Sequence, residues 1–279
     1  LPMSDTFERS CAHWSEAQRQ EMEAFYALAS VDYHHLAQAL DWKSWLEARQ
    51  AEAGERPLRL LDVACGSGKF PNALVRDADV ASAAIQPIDY ALLDPSEFSI
   101  AEARAALVEP FIAGQEYPTT LQALSCPRGA FDIVWATHAL YALPEAELPA
   151  GLERFMHALG GMGFIAHAAA DAHYLRFYRH YLDAFREGAG TPYISAEQIV
   201  AALQQLGIRF ETREIRYQNR ASQAQWQQVQ GYLQRCVFDD SVSLQQMLAN
   251  PITGAYLAHC QHQQEWRFDQ RVLLIFLHP

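Results

Sequence analysis

The residues best suited to chemistry are the turn Asp62-Val63-Ala64-Cys65-Gly66-Ser67-Gly68 and a later carboxylate, Asp94. Gly66 and Gly68 allow backbone conformations closed to residues with a Cβ and let a ligand approach closely. A helical pattern starts at Lys69, so its first N–H groups and partial positive charge face whatever lies in the turn. Asp94 closes the apolar run Ile88 to Leu93, precedes Pro95, and can accept both hydroxyls of a ribose there. The spacing lacks the Gly-x-Gly-x-x-Gly pattern of a pyrophosphate binder and the lysine-serine pair of a phosphate loop. A third group, Thr137-His138-Ala139-Leu140-Tyr141, follows the run Phe131 to Ala136. His138 titrates near neutrality when unperturbed and is the candidate base, or else a histidine hydrogen-bonded for structural reasons. Tyr141, Tyr174 and Phe177 either face a cation or pack in a core.

The elements that must position these groups can be read in chain order. Residues 5 to 28 and about 33 to 52 have helical spacing. The apolar run Leu58 to Val63 reads as a central parallel strand buried on both faces. A helix to about Asp77, a strand Ile88–Leu93, a helix Ser96–Leu107 and a strand within Glu109–Gly114 follow. Thr119 and Thr120 lie in the next loop. Strand Phe131–Ala136, helix Glu145–Leu159 and strand Gly161–His167 continue the alternation. After an aromatic helix, Asp171–Glu187, Ser195 is placed to cap a helix to Leu206, and a strand covers Ile208–Tyr217. Two glutamine-rich amphipathic helices, about Ser222–Cys236 and Ser241–His262, precede a last strand, Arg271–Leu277. The expected units are a helical arm at 3–54, a nucleotide-binding core at 55–220, a helical cap at 221–266 and a final core strand at 267–279. Ligands of such open α/β sheets bind at the carboxyl ends of the strands.

Bulk properties narrow the partners. The chain has 279 residues, half of them hydrophobic, and can bury one sizeable core. A net charge of −12 argues against nucleic acid or an acidic membrane surface and is compatible with a cationic small molecule. Five cysteines without Cys-x-x-Cys pairing indicate neither a disulfide framework nor a zinc site, and fit a reducing cytoplasm. His167, His173 and His180 lack the carboxylate or cysteine that would complete a metal site. No apolar run approaches the length of a membrane span. The oligomeric state is left open.

The order strand, Asp-x-Ala-Cys-Gly-x-Gly, helix, strand, Asp resembles the S-adenosylmethionine (SAM) site of class I methyltransferases. Over nearly the whole length the chain resembles histamine N-methyltransferase and its bacterial relatives. The likeness runs through Thr6-Phe7-Glu8-Arg9, His13-Trp14-Ser15-Glu16, the glycine turn, Asp94-Pro95-Ser96, the segment from Phe131 to Leu143, Tyr193-Ile194-Ser195 and the two-helix insert. It implies a Rossmann-like seven-stranded, mostly parallel sheet carrying a helical cap. It also implies a cofactor site of Asp62, Ala64, Gly66, Gly68, Asp94, Pro95, Thr119, Thr120 and Thr137. On the substrate side it implies Phe7, Glu16, His138 and Tyr141, with Glu16, His138 and Tyr141 nearest the chemistry, and the cation–π reading adds Tyr174. Glu16 is either the anchor of a substrate ammonium or an ordinary solvated helix residue. The sequence departs from the family where a glutamine becomes His138, a second tyrosine Ala142, a ribose glutamate Asp94 and a late asparagine Asp269. The cofactor site therefore carries over better than the substrate pocket.

The expected reaction moves the SAM methyl group to a nitrogen of a small amine or amino-acid-like molecule and leaves S-adenosylhomocysteine. The alternative is a SAM-consuming enzyme of the same fold that closes SAM on itself, giving azetidine-2-carboxylate and methylthioadenosine. A non-catalytic SAM-binding protein is the third reading.

Overall fold

The computed structural model describes residues 5–13 and 19–279. Its frame is a sheet of β1 (Arg59–Val63), β2 (Ile88–Leu93), β3 (Phe111–Tyr117), β4 (Phe131–Thr137), β5 (Leu159–Ala168), β6 (Arg209–Ser222) and β8 (Glu265–His278), in the order β3-β2-β1-β4-β5-β8-β6. A two-residue strand, β7 (Gln261–His262), pairs with β8 off this path. β1 to β5 pair in parallel, and β8 runs antiparallel to both β5 and β6. The strand order reverses direction at β1 and β4, and the crevice beyond their carboxyl ends is the binding position of open α/β sheets.

Alternation along the strands feeds two cores. Leu60, Tyr90, Ile133, Trp135 and Phe164 face one side, with α3 (Trp42–Ala53), α4 (Lys69–Asp77) and α5 (Glu97–Ala106) covering it. There Trp42 meets Phe70, Trp135 and Phe164 edge-on, an arrangement that favours ring quadrupoles. Leu61, Val63, Val134, Ala136 and Ile165 face the other side, under α6 (Leu148–Ala158) and α8 (Ala196–Gln205). Ser195 caps α8 in a reciprocal capping box with Gln198.

A third core lies beyond the sheet's carboxyl edge. It joins α7 (His173–Phe185), α9 (Trp226–Cys236), α10 (Leu244–Ala249) and α11 (Pro251–Cys260) to Leu28 and Ala29 of α2 (Arg19–Gln38). The outer halves of β6 and β8 are its floor: Ala221, Trp266 and Phe268 belong to this core. Both strands therefore exceed their sequence-based limits of Tyr217 and Arg271. Polar residues such as Gln218, Arg220 and Arg267 alternate with the inward ones and hide the strand period.

Two helices also break where the sequence reads as continuous. The segment 33 to 52 is split by Asp41, whose carboxylate accepts the Ser44 N–H at 3.0 Å and starts α3 anew. The stretch 241 to 262 divides where Asn250 and Pro251 begin α11. At the other end of the chain, α1 (Asp5–His13) docks on the cap. Thr6 donates to the Thr191 carbonyl at 2.7 Å, and Arg9 donates to the Tyr178 hydroxyl at 2.6 Å. Among the described residues no helix is long and apolar enough to cross a membrane.

Gly68, the residue before α4, has φ +77°, and a Cβ there would stand 3.2 Å from the Ala103 backbone of α5. Gly68→Ala is expected to cost about 1–2 kcal/mol from the left-handed backbone alone, read as a lower urea midpoint with an unchanged m-value.

Candidate active site

Beyond Val63 the chain bends sharply: Ala64, Gly66 and Gly68 all have positive φ. The bend is tied to the next strand, because the Gly66 N–H donates to Asp94 at 3.1 Å. The other Asp94 oxygen accepts the Ser96 N–H at 2.8 Å. Burial raises the Asp94 carboxyl to about 6, opposed by the two N–H donors. Asp62 lies deeper and accepts the Tyr90 hydroxyl at 2.5 Å, while the Trp135 indole donates to that same hydroxyl at 3.1 Å. Burial, with a smaller contribution from the Asp94 charge, raises Asp62 to about 7. Burial also pushes the Cys65 thiol up, which suits a space-filling residue and not a nucleophile.

At the end of β4 the backbone turns through His138, φ +51°, with its N–H bonded to the Ala166 carbonyl at 2.9 Å. The Tyr141 hydroxyl accepts the Ala168 N–H at 3.0 Å and lies 2.6 Å from His138 Nδ1. With the hydroxyl's own proton donated to Nδ1, the imidazole proton would lie on Nε2. His138 Nε2 is buried without a partner among the described residues. Burial, then the neighbouring His167, pulls the His138 pKa down to about 3. The ring is thus a neutral N–H donor and a weak base at physiological pH.

One cavity collects these groups. Asp62, Ala64, Gly66, Asp94, Pro95, Thr120 and Thr137 line it on the sheet side, and Phe7, His138, Tyr141 and Tyr174 line it on the cap side. Gly68 and Thr119 do not reach it: Gly68 packs on Ala103, and Thr119 is held in the preceding turn by the Tyr117 carbonyl. Glu16 lies outside the described residues. Phe177 is fully buried in the cap core and is a packing residue. Asp269 is exposed and accepts from Gln218 at 2.7 Å, away from the cavity.

Further lining residues escaped the sequence reading: Asp32, Ser67, Tyr193, Arg235 and Phe238. Ser67 sits inside the glycine turn and could have been included on position alone. Asp32, Arg235 and Phe238 stand in helical or post-helical sequence with no motif around them.

A family model for the methyltransferase domain matches residues 33–213. The chain belongs to that family. No curated protein matches it by sequence. Among solved structures, it is similar to magnesium protoporphyrin IX methyltransferase from Synechocystis PCC 6803 with bound S-adenosylhomocysteine, at 13% identity and TM-score 0.57, covering 99% of this chain and 100% of that one. It is also similar to the YcgJ protein from Bacillus subtilis, at 15% identity and TM-score 0.54, over 83% and 95% of the two chains. A possible histamine N-methyltransferase from Thermotoga maritima aligns at 12% identity and TM-score 0.50, over 95% and 98%. These likenesses are likenesses of fold.

The cavity's donors and acceptors fit SAM, the cofactor that the sequence resemblance implies. Asp94 would take the ribose hydroxyls, and the turn from Ala64 to Ser67 would meet the amino-acid end. The Ser67 hydroxyl is buried without a partner among the described residues, as a group kept for a ligand would be.

Two measurements check this electrostatic picture. A carboxyl raised in the folded state stabilises the protein while protonated, and that contribution is lost as pH rises from about 4 through 7 at Asp62. Asp62→Asn keeps an acceptor for Tyr90, so its stability relative to the parent is expected to improve over that window by up to about 1.4 kcal/mol per pH unit, read by urea unfolding at stepped pH. Nitrogen-15 spectra of His138 are expected to show a neutral ring protonated on Nε2 down to pH 5, and Tyr141→Phe to abolish that single tautomer.

Proposed function

We propose that this enzyme transfers the methyl group of SAM to a nitrogen of a small amine or amino-acid-like molecule. The observation that carries the reading is the wall beyond Thr137. There Tyr141, Tyr174 and Tyr193, with Phe7 and Phe238, line the same cavity as the glycine turn. An aromatic enclosure of this kind suits an organic cation.

Bound in the turn, SAM supplies a methyl group on a sulfonium, which an acceptor lone pair takes as the C–S bond breaks. The chain's own work is alignment and exclusion of water. Holding two reactants in line can supply roughly 7–11 kcal/mol of a barrier. An apolar enclosure also favours the neutral form of an amine over its ammonium, so the nucleophile is unmasked without a strong base. His138, neutral and carrying its proton on Nε2, would orient the acceptor by donating to it.

We read the enzyme as cytoplasmic and as acting on a small molecule, without nucleic acid or membrane. Five unpaired cysteines and a net charge of −12 support that reading. The test is to incubate the protein with SAM, alone and with a panel of amines, and to identify the nucleoside. S-adenosylhomocysteine formed only with an amine is expected. Methylthioadenosine formed from SAM alone would replace methyl transfer with intramolecular cyclisation. Asp94→Ala is expected to weaken SAM binding about 10- to 100-fold, measured by calorimetry.

A further inference from the structure

Asp32 lies in the last third of α2, is 3% exposed, and lines the same cavity. Its carboxylate is held by three neutral donors. The Tyr217 hydroxyl and the Asn219 amide donate to Oδ1 at 2.5 and 3.3 Å, and the Tyr174 hydroxyl donates to Oδ2 at 2.7 Å. Asn219 is fixed in turn by Gln270, which donates to its amide oxygen at 2.9 Å. The ionisable groups that feel the Asp32 charge are Tyr141, Tyr174, Tyr217, Tyr232 and Cys236, all weak acids pushed up by burial. Among the described residues no cationic side chain pairs with it, although Lys69 and the buried Arg235 of α9 line the same cavity. A carboxylate taken out of water needs a counter-charge or a proton. Here the donors fix its position, Oδ2 keeps an unused lone pair, and the adjoining space is a ligand cavity.

We infer that Asp32 recognises the acceptor: its carboxylate receives the ammonium group of a small organic cation bound against Tyr141, Tyr174 and Tyr193. The inference rests on reading this cavity as the place where SAM and acceptor meet. It names the acceptor class as a molecule with an apolar body and a cationic nitrogen distinct from the neutral nitrogen that takes the methyl group. Asp32 belongs to the cap side, among residues of α2, α7 and β6, whereas the ribose carboxylate and the glycine turn lie at the ends of β1 and β2. The ammonium is therefore assigned to the acceptor, and the amino group of SAM itself is the other source to be distinguished.

Calorimetry on the whole protein tests this without requiring turnover. S-adenosylhomocysteine is titrated first; tyramine, histamine and 4-propylphenol, the neutral isostere of tyramine, are then titrated into the saturated protein. The parent is expected to bind at least one amine and to prefer it to the isostere. Asp32→Asn is expected to lose that amine about tenfold or more, with its affinity for S-adenosylhomocysteine held within twofold. Should the variant fail to fold, the parent alone suffices. The Asp32 carboxyl is raised to about 6 by burial, so amine binding at pH 6 should release a proton, seen as heats that vary with buffer ionisation enthalpy, while the isostere releases none. The inference is overturned if the parent binds no amine in preference to the isostere, or if Asp32→Asn leaves amine affinity unchanged. It is also overturned if the loss falls on S-adenosylhomocysteine and not on methylthioadenosine, which would assign the carboxylate to the nucleotide's own ammonium. Failure of the parent to bind S-adenosylhomocysteine would strike the proposed function itself, whereas normal nucleotide binding without amine discrimination would strike only the role of Asp32.

Discussion

The bond from the Gly66 N–H to the Asp94 carboxylate is the tie on which the site depends. It carries the pairing of β1 and β2 one step past their last rung, Val63 with Leu93, so the turn and the strand end form one wall. Left-handed backbone at Ala64, Gly66 and Gly68 brings the amide to the carboxylate. The strain at Ala64 is a local cost of order 1–2 kcal/mol, tolerated because flanking strands buried on both faces leave the chain no other path. Every other cavity group is placed relative to this corner.

Charge in the site follows a consistent pattern. Asp32, Asp62 and Asp94 are all buried carboxyls with raised pKa values, and His138, His167 and His173 are buried rings with lowered ones. Burial shifts each toward its uncharged form: the three rings are neutral at physiological pH, whereas Asp32 and Asp94, raised only to about 6, stay mostly ionised. Tyrosines recur as partners: Tyr90 for Asp62, Tyr141 for His138, Tyr174 and Tyr217 for Asp32. A hydroxyl can orient such a group without adding a net charge, so the cationic residues of the lining itself are Lys69 and the buried Arg235.

The parallel core was legible in the sequence because buried central strands are short apolar runs; β2 begins at Ile88 and ends at Leu93 as its sequence suggests. The glycine turn and Asp94 were legible because their chemistry is local, within a few residues of a strand end. Asp32 was not. Its meaning comes from Tyr174, Tyr217 and Asn219, residues more than a hundred positions away, and nothing in its own helix distinguishes it from a solvated acid. Asn219 was hidden for a related reason: it lies in a polar stretch whose strand period appears only once the cap covers alternate residues. His138 was found by position, but its neutral state and tautomer depend on Tyr141 and Ala168 and could not be read from the histidine alone.

The extension of β6 and β8 past the rest of the sheet gives the cap a particular mechanical character. Ala221, Trp266 and Phe268 are at once rungs of a strand ladder and part of the packing beneath α9 and α11. Lifting those helices would mean bending a paired ribbon or tearing its rungs. The roof over the cavity is therefore cantilevered from the same plate that carries the glycine corner, and heat or ligand will flex the two together before it swings one from the other.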